Sequence, residues 1–453
     1  MSAPEPDWEP LAGTAAYTRP LLGSEASTDQ MGLLQNGMSQ VCMGVAFTTS
    51  LAPPELEVRL KEAVIRLRYT CPIVGATLRS GIHDPQLRSW VYTPLKDVHE
   101  ARAWADQTVV SVLEPTEPHT FLASKIETNL SYKLVDGVSQ FIRIYLIRTD
   151  ITHNTFGIFF HGVHAIMDAR ASLKASSLLL EWMSDPKIGS VADLQWGKEF
   201  ANLPPGPITA TGGPREDWQT HGTALLMKVG AHFANETPSH SLNPGSSDIT
   251  VPGKLHRYMM TFTAEETAKM TQTLKRLGYT FTHLMDAATA LATFELNPVS
   301  EDAADKAHVA YDLSTISLSD RLPPSLDSRR HFVSCLATLP VDIVWKPLVS
   351  LAPGKARLLG AMAQSKAQYD EYLANPCMPH LTSELARIAP LREIPPPRSP
   401  YAPSPVNFGL VERFLPTTWP KEGASVGPPL FRVDAMHIGH RFLWPMLYVA
   451  CVL

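Results

Sequence analysis

The 453-residue sequence lacks the features that would assign it to several common classes of protein. It contains no run of Lys or Arg, and its net charge of -5 gives no basic surface of the kind that binds DNA or RNA. Its longest apolar run, residues 442–453, is interrupted by Pro445 and is shorter than the ~20 residues needed to cross a bilayer. We therefore expect no nucleic-acid partner and no membrane span.

Cysteine is also scarce and scattered. The five cysteines form no CxxC pair and no Cys/His cluster, which disfavours a disulfide framework and a structural zinc site. The N-terminal residues MSAPEPDWEPL contain neither a basic segment nor an apolar core, so they do not predict a signal peptide. We expect a cytoplasmic monomer with no bound metal and no bound cofactor.

The overall composition is that of an ordered globular protein. Hydrophobic residues make up 44% of the chain and charged residues 18%. At ~150 residues per domain the length allows up to three domains, and two larger domains are equally compatible with it. Short strand-like runs alternate with helical patterns, which favours a mixed α/β sheet with helices packed on it over a sandwich or a bundle.

The most informative stretch is residues 145–183. A short apolar run typical of a strand covers residues 155–160, and residues 169–182 have the spacing of a helix. Between them lies His161-Gly-Val-His164-Ala-Ile-Met-Asp168. A rigid strand end followed by a helix start can present a side chain to a cleft, and a neutral imidazole held there can take a proton near pH 7.

These residues also have simpler interpretations. Asp168 directly precedes the helical pattern and could serve only as an N-cap. A histidine among apolar residues is often a partly buried, satisfied side chain. His161, His164 and Asp168 could together bind a metal, although the spacing would need a helix through Gly162 and no HExxH or Cys partner supports such a site.

His164-Ala-Ile-Met-Asp168 resembles the HxxxD signature of the BAHD acyltransferases, the trichothecene-type O-acetyltransferases and the condensation domains of peptide synthetases. These belong to the chloramphenicol acetyltransferase-like superfamily. As in the family, the motif follows an apolar strand, precedes a helix and lies about a third of the way along the chain. Ala169 stands where the family often has Gly. Val163 stands where condensation domains have a second His, which argues against a condensation domain proper.

The resemblance implies the fold class: α/β, with two chloramphenicol acetyltransferase-like domains, each a mixed sheet flanked by helices, and an active-site tunnel between them. Gly- and Pro-containing polar stretches after Met183 are hard to place in a packed element. We therefore predict an N-terminal domain at 1–190 that carries HxxxD, a crossover loop at 191–253 and a C-terminal domain at 254–453.

Further patterns agree with this organisation. An amphipathic helix is predicted within residues 50–69, and a strand at residues 257–262. Thr263-Ala-Glu-Glu266 is a capping box that opens a helix ending at Gly278. An Ala-rich helix is predicted at residues 282–294, where His283 has the position of a capping or surface residue.

Two more elements match the family. In the family an arginine near Ser317-Leu-Ser-Asp-Arg321 pairs with the aspartate of HxxxD, so the resemblance makes Arg321 the partner of Asp168. An ordinary solvated loop arginine is the alternative. Asn407-Phe408-Gly409 loosely matches the second family motif, DFGWG, with Asn in place of Asp and Leu410 in place of Trp. That motif has a structural role in the family, away from the proton transfer.

Residues Gly423-Ala-Ser425-Val-Gly427 also satisfy G-x-S-x-G, the nucleophile elbow of serine hydrolases. The elbow needs an apolar strand before it and a helix after it, whereas Trp-Pro-Lys-Glu precedes this stretch and Pro428-Pro429 follows it. The sequence context therefore argues against a serine hydrolase.

The resemblance implies an acyl-CoA-dependent O-acyltransferase. His164 would be the general base on a hydroxylated small molecule, such as a terpenoid or polyketide alcohol, and Asp168 would fix the loop. Acetyl-CoA or another acyl-CoA would be the cosubstrate. Three alternatives stay open: an acyltransferase that uses a carrier protein as donor, a cyclase of the same fold, and a non-catalytic small-molecule binder.

Overall fold

The computed structural model describes residues 3–242, 256–393, 401–420, 427–442 and 447–451. Within these ranges no helix is both long and apolar enough to cross a membrane. The Gly423-to-Val426 part of the G-x-S-x-G stretch lies outside the described residues. The described residues fold into two lobes, each with its own hydrophobic core.

The strands that these residues form are, in chain order, β1 (Glu9–Pro10), β2 (Tyr17–Pro20), β3 (Val41–Thr49), β4 (Thr77–Ser80), β5 (Arg88–Tyr92), β6 (Val109–Val112), β7 (Tyr132–Lys133), β8 (Ser139–Gln140), β9 (Ile142–Asp150), β10 (Thr155–Gly162), β11 (His308–Ser317), β12 (Leu336–Val344), β13 (Pro403–Asn407), β14 (Thr418–Trp419), β15 (Phe431–His440) and β16 (Leu447–Cys451). The helices are α1 (Ser24–Leu34), α2 (Pro53–Thr70), α3 (Val98–Thr108), α4 (Pro118–Ile126), α5 (Ala169–Ser184), α6 (Pro207–Ala210), α7 (Thr223–Phe233), α8 (Ala264–Leu277), α9 (Phe281–Leu296), α10 (Lys346–Val349), α11 (Lys355–Ala374) and α12 (Leu381–Ile388).

The first lobe is built on a six-stranded sheet in the order β14-β15-β3-β10-β9-β6. The strands pair antiparallel except β6 and β9, which are parallel. The predicted domain boundaries need correction at β15. The prediction placed all of 254–453 in the second domain. The chain instead returns to the first lobe, where β15 pairs with β3 along its whole length.

Both faces of this sheet are covered, which explains why β10 is apolar along most of its length. Helices α2 and α5 pack on one face, and α4 packs on the other. The predicted amphipathic helix is confirmed as α2, and the side chains of its apolar stripe are buried: Leu56, Leu60, Ala63, Val64 and Leu67. Gly44 in β3 allows close packing, because a Cβ atom there would lie 2.6 Å from the ring of Phe159.

The second lobe contains the β11–β12 pair and the parallel β13–β16 pair, packed with α9 and α11. Its core includes Ala287 and Ala290 of α9, both 0% exposed, so the small side chains of the predicted Ala-rich helix allow close contact. The capping box at Thr263 is confirmed. His283 accepts a hydrogen bond from the backbone N–H of Thr280 and so caps α9, as the sequence predicted.

Two predictions for the middle of the chain need correction. The predicted crossover at 191–253 is not a plain loop, because α7 lies within it and packs Leu225 and Val229 into the second core. The strand predicted at residues 257–262 is not formed, and Tyr258 and Met260 there are 95% and 79% exposed. The apolar composition of this segment suggested a strand, yet no neighbouring strand of the described chain pairs with it.

A buried histidine attaches α7 to the second lobe. The imidazole of His232 in α7 lies 2.7 Å from Asp312 of β11 and 3.0 Å from Asp342 of β12. Burial lowers the pKa of His232, but the two carboxylates outweigh it and raise the pKa to about 9. The charged imidazolium therefore joins the helix to both strands at neutral pH.

This ion pair network predicts pH-dependent stability. Because the folded pKa of about 9 exceeds the unfolded value, the contribution of His232 is complete below about pH 6.5 and is lost as the pH rises through 9. Since Asp312 is 41% exposed, we expect a discounted contribution of about 1–2 kcal/mol. Urea unfolding at pH 6, 8 and 10 should show a His232→Gln deficit that disappears at the highest pH.

The matched control for this measurement is His153→Gln. His153 pairs with Asp150 in an exposed turn, and its side chain is 75% exposed. That variant should follow the wild-type pH dependence. A His232→Gln deficit of equal size at pH 6 and pH 10 would contradict the charged network.

Candidate active site

His164 lies in a tight turn between β10 and α5. The backbone N–H of Val163 donates to the carbonyl of Phe141, and the N–H of Ile166 donates to the carbonyl of Val163. Ala165, Ile166 and Met167 are all 0% exposed. These buried neighbours fix the turn, and the half-buried ring of His164 is directed into a cavity.

This cavity has a volume of about 1700 Å³ and is lined by residues of both lobes. Its walls include His164 and Arg170 from the first lobe, and His283 and Asn407 from the second. A smaller cavity of about 220 Å³, lined by Asp29 and other polar residues, also reaches His164. The imidazole therefore stands where two compartments meet.

The surroundings of His164 keep it neutral. Burial lowers the pKa of the imidazole, while the carbonyls of His164 and Met167 and the charge of Asp168 act in the opposite direction. A neutral imidazole has one nitrogen free to accept a proton. His164 is thus in the state that a general base requires at neutral pH.

Asp168 is 3% exposed and caps α5, as the N-cap interpretation predicted. Its Oδ1 accepts from the N–H of Ala171 at 2.9 Å, and its Oδ2 accepts from the N–H of Cys335 at 3.1 Å. Cys335 belongs to the second lobe, immediately before β12. The carboxylate therefore fixes the turn that carries His164 and connects that turn to the other lobe.

Neighbouring hydrogen bonds extend this connection. The N–H of Ser334 donates to the carbonyl of Ala165 at 3.2 Å. The hydroxyl of Ser24 in α1 donates to the carbonyl of Ser334 and accepts from the N–H of Leu336, each at 3.2 Å. We call this set of bonds between the turn, α1 and residues 334–336 the inter-lobe seam.

The predicted pairing of Arg321 with Asp168 is wrong. Both oxygens of Asp168 are occupied by backbone amides, and among the described residues no ion pair links the two side chains. Arg321 follows a 3-10 turn that ends β11, and this turn leaves it exposed at the edge of the large cavity. A different arginine, Arg170, reaches this turn and pairs with Asp320 at 2.5 Å.

Asn407, Phe408 and Gly409 form a turn at the end of β13. The side chain of Asn407 accepts from the N–H of Gly409 at 2.9 Å and donates to the hydroxyl of Thr282 at 3.2 Å. Gly409 has a positive φ of 75°, which glycine adopts readily. All three residues also line the large cavity. The segment that loosely matches DFGWG therefore borders the site, and its Asn407 also holds α9 through Thr282.

His161 does not join His164. Its ring is 0% exposed, its Nδ1 is hydrogen-bonded to the hydroxyl of Tyr132, and burial lowers its pKa to about 3. The structure therefore does not assemble the metal ligands considered from the sequence. In the described part of the chain, no three His, Cys, Asp or Glu side chains are grouped as metal ligands.

His440, at the end of β15, is a further residue of this site that the sequence did not predict. Its ring centroid lies 5.4 Å from that of His164, and it lines the same cavity. In the sheet, His440 pairs with Val41 of β3, which pairs in turn with Gly162 of β10. No local pattern reveals this contact, because it depends on β3 pairing with both β10 and β15, two strands that are far apart from each other in sequence.

Comparisons with known proteins identify similar families and similar folds. Residues 25–382 match the family model of 15-O-acetyltransferase Tri3. A 172-residue stretch is 25% identical to the acyl-CoA-dependent acyltransferase MAC2 of Pseudozyma antarctica, strain T-34. That match covers 38% of this chain and only 30% of the length of the MAC2 protein.

Solved structures show the fold. The trichothecene 15-O-acetyltransferase TRI3 of Fusarium sporotrichioides superposes with a TM-score of 0.80 at 19% identity, covering 100% of this chain and 93% of that chain. The first condensation domain of the calcium-dependent antibiotic synthetase gives a TM-score of 0.60 at 10% identity, covering 96% and 88%. The predicted two-lobed chloramphenicol acetyltransferase-like fold is confirmed. With most of its length matched by the family model, the chain belongs to the 15-O-acetyltransferase Tri3 family of acyltransferases.

Proposed function

We propose that this protein transfers an acyl group, acetyl in the simplest case, from acyl-CoA to a hydroxyl of a small specialised metabolite such as a terpenoid or polyketide. The observation that carries the proposal is the neutral, half-buried His164 on the wall of a cavity of about 1700 Å³. A pocket for one small ligand is typically about 300–1,000 Å³. The cavity therefore has room for a donor and an acceptor together.

The proposed reaction needs no acyl-enzyme. His164 removes the proton of the acceptor hydroxyl while the oxygen bonds to the thioester carbonyl carbon, and a tetrahedral intermediate forms. The C–S bond then breaks, and the departing thiolate takes the proton from the imidazolium. The products are the ester and free CoA. Because general-base help contributes only about 100- to 10,000-fold, holding the two substrates in register supplies much of the remaining acceleration.

The charge at the cavity supports acyl-CoA as donor. Lys275, Arg321 and Arg413 line it, are exposed, and form no ion pair within the described ranges. Such side chains can bind the phosphate groups of CoA, which are strongly negative. The matched MAC2 protein is itself described as acyl-CoA-dependent.

The test is to incubate the purified protein with acetyl-CoA and a panel of hydroxylated terpenoids and polyketides while following thiol release. We expect release that depends on both the alcohol and the enzyme, with the acetyl ester found by mass spectrometry. Parallel reactions with an acyl-loaded carrier protein identify the donor. Activity only with the carrier would overturn the CoA assignment, and ligand binding without any transfer would overturn the proposed reaction.

A further inference from the structure

The segment at residues 3–8, which we call the N-terminal arm, forms part of the wall of the large cavity. Four of its residues line the cavity, namely Ala3, Pro4, Glu5 and Pro6. The arm itself is neither helix nor strand. Because proline fixes φ at about −65°, Pro4 and Pro6 favour an extended arm that lies along the cavity wall. The reaction proposed above gives this segment no role.

Two hydrogen bonds join the arm to residues 204–209. Oε2 of Glu5 accepts from the backbone N–H of Thr209 in α6 at 2.9 Å. The indole N–H of Trp8 donates to the carbonyl of Pro204 at 2.8 Å, and the ring of Trp8 packs against the first core. Trp8 therefore anchors one end of the arm, and the bond of Glu5 holds the part that lines the cavity.

A glycine leaves space for the carboxylate of Glu5. A Cβ atom at Gly206 would lie 2.5 Å from Oε2 of Glu5 and 2.6 Å from Cδ1 of Leu22. Gly206 has a φ of −65°, which any residue can adopt, so its backbone conformation does not require glycine. The space does require it, because a side chain at Gly206 would push the carboxylate away from Thr209. The chain is therefore shaped at this point to receive the arm.

The charges around the arm favour the alcohol, rather than acyl-CoA, as the substrate that lies against it. The arm contains Glu5 and Asp7 but no Lys or Arg. On α12, which contacts α1, Arg387 lines the cavity, but Glu384 pairs with it at 2.6 Å. The phosphates of CoA would be repelled by the carboxylates of the arm, whereas a neutral alcohol would not be.

We propose that the N-terminal arm is a specificity element that contacts the acceptor alcohol and limits its length. This inference rests on the proposed transfer to an alcohol. With Glu5 bound to Thr209, the alcohol fits between the arm and His164, which line the same cavity. Without that bond, residues 3–6 move aside and the cavity lengthens. The arm can yield in this way while the inter-lobe seam stays intact.

The test measures acetyl transfer to three terpenoid alcohols of increasing length: geraniol, farnesol and geranylgeraniol. Any other accepted alcohol is compared with its chain-extended homologue in the same way. In Glu5→Ala, the ratio of kcat/KM for the longest to the shortest alcohol should rise about 10-fold, a change typical of apolar pockets that select by size. Glu5→Gln keeps an oxygen acceptor and should show a smaller rise. Gly206→Ala should resemble Glu5→Ala, because its methyl group displaces the carboxylate.

The matched controls are Glu9→Ala and Gly189→Ala, which should both keep the wild-type ratio. Glu9 follows the arm, its side chain is 64% exposed, and it does not line the large cavity. A Cβ atom at Gly189 would meet no atom of the described residues within 4 Å. Transfer with an unchanged ratio in Glu5→Ala and Gly206→Ala would overturn the role of the arm alone. Wild-type protein that acetylates no alcohol would overturn the proposed reaction.

Hydrogen exchange at the amide of Thr209 reports the position of the arm without any turnover. In Glu5→Ala this amide should exchange about 10- to 100-fold faster, the loss expected for a hydrogen bond to a charged acceptor. In the wild-type protein an accepted alcohol should slow the exchange, because it packs against the arm and keeps the bond closed. Acetyl-CoA should leave the exchange unchanged. Slowing by acetyl-CoA alone, or no slowing by the alcohol, would overturn the inference.

Discussion

Replacing His164 by alanine is expected to reduce turnover by about 100- to 10,000-fold, the range that general-base help contributes. The side chain lies at the surface of the cavity, and the turn is fixed by its buried neighbours Ala165, Ile166 and Met167. Removing the imidazole should therefore leave the fold intact. Thiol release from acetyl-CoA in the presence of an accepted alcohol measures the loss, and circular dichroism with thermal melting checks the fold.

His153→Ala is the control for this loss. His153 lies in the turn before β10, and its side chain is 75% exposed. It does not line the large cavity. We expect it to retain full turnover. Normal turnover by a folded His164→Ala protein would disprove His164 as the base, whatever acceptor is used.

Replacing Asp168 by alanine should damage both stability and turnover. Loss of the N-cap of α5 costs about 0.5–2 kcal/mol, and the buried N–H of Cys335 left without an acceptor costs about 1–3 kcal/mol. Together we expect a loss of about 1.5–5 kcal/mol in the free energy of unfolding, measured with urea. Turnover should fall because the turn that aims His164 loses its attachment to α5 and to the second lobe.

Two comparison variants separate geometry from charge. Asp168→Asn keeps one oxygen acceptor, so it should lose less stability than Asp168→Ala, since backbone amides rather than a cation engage the side chain. Asp97→Ala removes an N-cap that also accepts from two amides but lies at the surface. It should leave turnover unchanged. Wild-type stability and turnover in Asp168→Ala would contradict the role of Asp168 in fixing the turn that carries His164.

Local patterns in the sequence predicted local structure correctly. The stripe of α2, the capping box at Thr263 and the N-cap at Asp168 each depend on residues within about one helical turn. The position of His164 between a strand and a helix followed in the same way. These features need no knowledge of the rest of the chain, which is why the sequence alone predicts them.

The errors and omissions concern contacts between distant segments. Arg321 was assigned to Asp168 by resemblance, but the 3-10 turn before it leaves the guanidinium exposed and the amide of Cys335 takes the oxygen. The return of β15 to the first sheet, which brings His440 to His164, depends on strand pairing across the chain. An apolar run such as residues 257–262 resembles a strand, yet pairing also requires a free neighbouring edge.

The inter-lobe seam has a consequence for how substrates are exchanged. Its bonds from Ser24, Ala165 and Asp168 to residues 334–336 lie directly beside the turn of His164. Separating the lobes at that point would expose several buried backbone groups at once. The free-energy cost would be a large share of the free energy of unfolding of a typical protein. We therefore expect the alcohol and the ester of the proposed reaction to be exchanged while the lobes stay joined at the seam.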